Sequence, residues 1–234
     1  MTLIQHCRSR LIRRGLCVLV LSFLATSNIA SAELPHQSGS PDAIAQKEAR
    51  ALNDLATGLL KKGKLDQAIA LFTKAITRDP GSAFAFYNRG TTYALRKEFE
   101  RAIDDYSDAI RIDADFALAY MNRGVAYSIQ NRFADALKDL NKAIELEPRK
   151  VEGYYNRALV FTKLGMLLEA SKDYTAAIEL NHRDVELYVA RARIWEELNQ
   201  RDKAIADYGS ALALQPTNEQ ALRRLTALGA QKSP

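Results

Sequence analysis

Three kinds of side chain recur at fixed spacing in this sequence and could do chemistry. Arg89, Arg123, Arg157 and Arg191 stand 34 residues apart, and so do Asp105, Asp139, Asp173 and Asp207. Guanidinium groups in a row could capture an anionic ligand, or each could close a two-point pair on a carboxylate. Asn88, Asn122 and Asn156 repeat with the same period. An amide carries donors and an acceptor, so a row of them could hold the main chain of an extended peptide without reading its sequence. Catalytic chemistry has little to work with. Cys7 and Cys17 lie in the first 32 residues, and beyond them only His36 and His182 remain, with no metal-ligand spacing to each other. Glu196-Glu197 and Asp104-Asp105 fall at helix positions expected to be solvated or paired, and no glycine-rich phosphate cradle is present. The residues point to no enzyme, no cofactor and no metal.

The elements that position these columns follow from the same period. Five units, 49–82, 83–116, 117–150, 151–184 and 185–218, run without insertion or deletion. Numbering each unit from 1 to 34, position 8 reads Ala56, Gly90, Gly124, Ala158, Ala192, and position 11 reads Leu59, Tyr93, Tyr127, Phe161, Trp195. Positions 20 and 27 are alanine throughout, and position 24 reads Phe72, Tyr106, Leu140, Tyr174, Tyr208. Positions 4, 8 and 11 are spaced i, i+4, i+7, as are 20, 24 and 27, so each unit carries two amphipathic helices and the fold is all-α. Position 15 (Gly63, Lys97, Asn131, Gly165, Asn199) favours a left-handed turn between them, and Pro80, Pro148 and Pro216 at position 32 stop the second helix. A helix pair of this size cannot bury its apolar stripe alone, so the units must stack.

This pattern resembles the tetratricopeptide repeat family over 170 of 234 residues. The resemblance implies an α-solenoid, a right-handed superhelix of antiparallel helix pairs whose first helices line a concave groove. Residues 219–234 are expected to form a capping helix and tail, with Thr217 and Gln220 as its capping box. Residues 33–48 read as a linker and the start of the first helix, signalled by Ser40-Pro41-Asp42.

Position 7, usually apolar in this family, reads Leu55 and then the four arginines; position 23 reads Leu71 and then the four aspartates. The two columns change together, which predicts structural pairs Arg89–Asp105, Arg123–Asp139, Arg157–Asp173 and Arg191–Asp207. Position 6, placed opposite the 4/8/11 stripe, puts Asn88, Asn122 and Asn156 into the groove beside Phe84, Tyr87, Leu118, Met121, Val125, Tyr155 and Leu159. This is similar to the asparagine ladder in the helical-repeat domain of the transferase that attaches N-acetylglucosamine to proteins. Of the two-carboxylate clamp by which related domains grip acidic chaperone tails, only Asn88 is matched among Asn53, Thr57, Asn88, Leu118 and Asn122.

Arg8, Arg10, Arg13 and Arg14 precede an apolar stretch from Leu16 to Ala25 and the small residues Ala30-Ser31-Ala32. Residues 1–32 thus read as a secretory signal peptide, too short in its apolar run to span a membrane. The pair Arg13-Arg14 does not by itself decide between general and twin-arginine export. Without this leader 29 basic residues face 28 acidic ones, so nothing attracts nucleic acid over distance. The expectation is an exported, periplasmic, non-catalytic module that binds a segment of another protein in its groove. The alternative is a scaffold that self-associates through its terminal repeats.

Overall fold

The computed structural model describes residues 40–229 and contains, among them, eleven α-helices and no strand. The chain divides between Arg132 and Phe133 into two compact units. Unit 1 carries α1 (Pro41–Lys61), α2 (Leu65–Arg78), α3 (Ala83–Leu95), α4 (Phe99–Ile112) and α5 (Ala117–Ile129). Unit 2 carries α6 (Phe133–Leu146), α7 (Val151–Lys163), α8 (Leu167–Leu180), α9 (Val185–Glu197), α10 (Arg201–Leu214) and α11 (Glu219–Ala227). The expected signal peptide, residues 1–32, lies outside the described residues. Among those described, no helix is long and apolar enough to cross a membrane.

The start of α1 is fixed by Ser40, whose hydroxyl accepts from the Ala43 amide at 3.3 Å. The turns inside the helix pairs are fixed by backbone geometry. Gly63, Lys97, Asn131, Gly165 and Asn199 all have φ between 58° and 73°. The amide after each reaches back to the third-last carbonyl of the first helix, as Lys64 does to Leu59 and Glu98 to Tyr93, both at 3.0 Å. Second helices end whether or not proline follows. In the two repeats that carry Ala114 and His182 instead, the side chains of Asp113 and Asn181 accept from the amides of Asp115 and Arg183, closing the turn locally.

The apolar columns meet as their spacing predicts. Ala68, Ala102, Ala136, Ala170 and Ala204 are fully buried, and Phe72, Tyr106, Leu140 and Tyr208 fill the space beside them with no exposure. The small residues let helix axes approach: a Cβ added to Gly90 would lie 3.0 Å from the Tyr106 ring. Within unit 1, α1 packs on α2 and α3 on α4, while α1, α3 and α5 also touch in succession. Within unit 2, α7 pairs with α8 and α9 with α10, and α11 closes on α10. Its cap is Asn218, which accepts from the Ala221 amide at 2.9 Å. The expected Thr217–Gln220 box is not formed: Thr217 is exposed, one residue too early to reach the first free amides.

Candidate functional site

The arginine column is committed to architecture. In unit 1 the Arg89 Nε and Nη2 donate to the two oxygens of Asp105 at 2.9 and 2.7 Å. In unit 2, Arg157 grips Asp173 at 2.8 and 2.7 Å, and Arg191 grips Asp207 at 2.8 Å through both nitrogens. The remaining Nη1 reaches back to position 25 of the preceding repeat. Arg89 donates to Thr73 at 3.1 Å, Arg123 to Ser107 at 2.9 Å, Arg157 to Asn141 at 2.6 Å and Arg191 to Thr175 at 2.9 Å. The guanidinium groups of Arg89, Arg157 and Arg191 each join the two helices of their own repeat, and all four arginines tie their repeat to the one before. Arg89 also lies 5.7 Å from the Phe86 ring centre and Arg157 lies 5.9 Å from that of Tyr154. The hydrogen bonds to Asp105 and Asp173 hold the Arg89 and Arg157 protons more tightly than usual, and all three nitrogens of each group already have a partner. The position-25 acceptors escape sequence reading because threonine, serine and asparagine share only a short polar tip.

The asparagine column is corrected by the structure. Asn88, Asn122 and Asn156 are buried, with at most 1% exposure, and Tyr87, Met121 and Val125 are equally sealed. In unit 1 the physical reason is that first helices touch in succession, so position 6, though within about 40° of positions 2 and 13 on its own helix, is closed over by the first helix before it. In unit 1 the amides are links between repeats. Asn88 Nδ2 donates to Asn53 Oδ1 at 3.2 Å, and Asn122 Nδ2 to the Tyr87 hydroxyl at 3.0 Å. Burial pushes that hydroxyl up to about 12, against the pull of hydrogen bonds with Thr91 and Asn122. Asn156 in unit 2 is buried with neither end hydrogen-bonded. Of the other residues expected in the groove, Phe84 is exposed and Leu118, Tyr155 and Leu159 are half-buried.

The face that stays open is set by positions 2 and 13, which lie about 20° apart on a helix. In unit 1 these are Arg50 and Lys61, then Phe84 and Leu95, then Leu118 and Ile129. Phe84 is 46% exposed, on a helix where nearly every other side chain is buried, and its ring stands edge-on to Phe116 at 5.1 Å. Leu95, Leu118 and Ile129 are half-buried. The 11-residue spacing that pairs these positions was available in the sequence, and Leu95 and Ile129 are the residues it adds.

In unit 2 the same positions carry Glu152 and Lys163, then Glu186 and Glu197. Burial, with the charge of Asp184, raises the Glu186 carboxyl above its ordinary range. A cavity of about 240 Å³ lies between Arg193, Glu196, Glu197, Gln220 and Arg224. Glu196 is tied there, accepting from the Tyr208 hydroxyl at 2.6 Å and from Arg224 Nε at 3.0 Å. His182 is exposed at a turn, and among the described residues no three His, Cys, Asp or Glu side chains converge as a metal site would require.

Tetratricopeptide repeat family models match residues 53–115, 117–150, 151–183 and 185–218. No curated protein matches the sequence. Among solved structures the chain is similar to YrrB, described as a tetratricopeptide repeat protein with an unusual peptide-binding site. Identity is 22%, over 80% of this chain and 98% of that one, with a TM-score of 0.65. PilF of Pseudomonas aeruginosa aligns at 21% identity over 82% of this chain and 87% of that one, with a TM-score of 0.70. MamA of Desulfovibrio magneticus RS-1 aligns at 13% identity over 74% and 97%, with a TM-score of 0.68. The 34-residue register, the helix pairs and the family matches agree, and the chain belongs to the tetratricopeptide repeat family.

Proposed function

We propose that the protein is an exported, non-catalytic binding module whose unit 1 face holds an apolar segment of another protein in the cell envelope. The observation that carries this reading is the strip Phe84, Leu95, Leu118 and Ile129, with Phe84 held out of a helix that otherwise buries almost everything. An exposed aromatic ring on the same helix face as half-buried aliphatic side chains gains by desolvation against a partner and gains little in solution. The basic Arg50 and Lys61 on the same face of α1 favour a partner whose apolar residues neighbour acidic ones. YrrB, a structure of this fold, is described by its peptide-binding site, which supports assigning such a role here. Export rests on the leader Arg8 to Ala32, with Glu33 as the first residue of the mature chain.

The test is differential capture from the native envelope. The variant Phe84→Asp should lose a partner that the parent and a Glu186→Gln control both retain, while its thermal melt stays near the parent's. Identical capture by all three chains would exclude the strip as the binding surface. N-terminal sequencing of the exported chain should begin at Glu33; a chain retained in the cytoplasm with Met1 would exclude export.

A further inference from the structure

The outer face of α1 differs from every other first helix. At 100° per residue, Ile44, Glu48, Ala51, Leu55 and Gly58 fall within about 40° of one line, with the 4-3-4-3 spacing of a two-helix seam. Ile44 is 53% exposed and Leu55 58%, Glu48 and Ala51 are exposed, and a Cβ built on Gly58 meets nothing within 4 Å. A shallow cavity of about 780 Å³ runs beside this seam, with Lys74 and Arg78 of α2 on its far wall. Leu55 occupies position 7, where the later repeats place the arginine that grips position 25 of the repeat before. At the other end of the chain the counterparts are finished: Leu225 holds the same register position in α11 and is half-buried, and Gly209 stands where the position-25 acceptor would be. Among the described residues, no helix does the same for α1.

We propose that two copies of this chain pair through this face, α1 against α1, antiparallel about a two-fold axis between Ala49 and Arg50. The sequence is self-complementary about that point. Ile44 falls opposite Leu55 of the second copy, and Glu48 falls opposite its Ala51, where the small side chain admits close approach. The charges agree as well. Glu48 pairs with Arg78 in its own chain at 3.5 Å, both half-exposed, and the two-fold brings each carboxylate toward a second guanidinium. The surface is separate from the Phe84 strip, so the pairing stands or falls independently of the binding reading.

Sedimentation of the exported chain over a wide concentration range should show a monomer–dimer equilibrium. Leu55→Arg and Ile44→Glu should each weaken it by at least about ten-fold, with helix content and the melting of the dilute monomer unchanged because both side chains are already exposed. Phe84→Asp should leave the equilibrium in place. The mature chain has no cysteine, so Ala51→Cys gives one thiol near the axis. A short bis-maleimide should join two such chains into a covalent dimer and should not join two Glu219→Cys chains. A monomer at every concentration, self-association indifferent to both seam variants, or preferential joining through α11 would overturn the proposal.

Discussion

The open first-helix faces of the two units are built on one register and carry opposite chemistry. Unit 1 sets Arg50 and Lys61 at positions 2 and 13 of its first repeat and Phe84, Leu95, Leu118 and Ile129 in the next two, whereas unit 2 sets Glu152, Lys163, Glu186 and Glu197 there. By contrast, positions 7 and 23 hold arginine and aspartate in every repeat after the first, and position 25 holds a short hydrogen-bonding side chain in every repeat before the last. The difference separates two kinds of column. Polar columns that link repeats are constrained by desolvation, since a buried charge or amide without its partner is costly. Columns on the open face are released from that constraint and are where a partner's chemistry can be matched.

The largest effect should come from breaking a linking column. Arg89→Leu leaves Asp105 buried with no counter-charge and should cost about 3–5 kcal/mol, read by chemical denaturation. Arg89→Leu/Asp105→Leu, which copies the pair Leu55 and Leu71, should recover most of that loss. Equal damage from single and double variants would mean the two side chains are not coupled. On the open face, Phe84→Ser should change stability by less than about 1 kcal/mol.

A smaller contrast lies inside the asparagine column. Asn122→Ala removes the donor to Tyr87 and should cost about 1–2 kcal/mol, whereas Asn156→Leu replaces an amide without partners and should be neutral or stabilising. If the Asn156 variant were the more damaging, the amide would be making a hydrogen bond this account denies it.

These two columns also mark where the sequence was legible. The helix pairs, their turns and the pairing of positions 7 and 23 follow from periodicity, because burial repeats with the same phase in every unit. The sealed asparagines do not, because a helical wheel records one apolar stripe and is blind to the neighbouring first helix that closes over position 6 while leaving positions 2 and 13 beside it open. Position 25 was missed for another reason: Thr73, Ser107, Asn141 and Thr175 look like surface residues until the arginine that meets them is in place.

Turn chemistry gives a finer test. Lys97 adopts φ 64° where two other repeats use glycine, so Lys97→Gly should raise stability by about 0.5–1 kcal/mol, visible as a small upward shift of the melting midpoint. The smallest expected effect is electrostatic and confined to unit 2. Burial works against ionised Glu196, but hydrogen bonds from Arg224 and Tyr208 outweigh it and hold its carboxyl below the ordinary glutamate value. Its contribution is therefore full above that ordinary value and is lost as pH falls through the lower folded one. Glu196→Gln should flatten the acid limb of the stability profile and lower stability slightly near neutrality. An unchanged profile would mean that Glu196 titrates as a free surface group.

The claim on which the rest depends is that position 6 is sealed in the seam between first helices while positions 2 and 13, within about 40° of it on the same helix, stay outside. Methionine oxidation reports this directly, because Met121 is 2% exposed on the sealed side and Met166 is 39% exposed at a turn. Limited peroxide treatment of the native chain, followed by peptide mass analysis, should convert Met166 to the sulfoxide well before Met121, with the two rates converging in denaturant. Equal rates in the native state would put Met121 in an open groove and contradict the account.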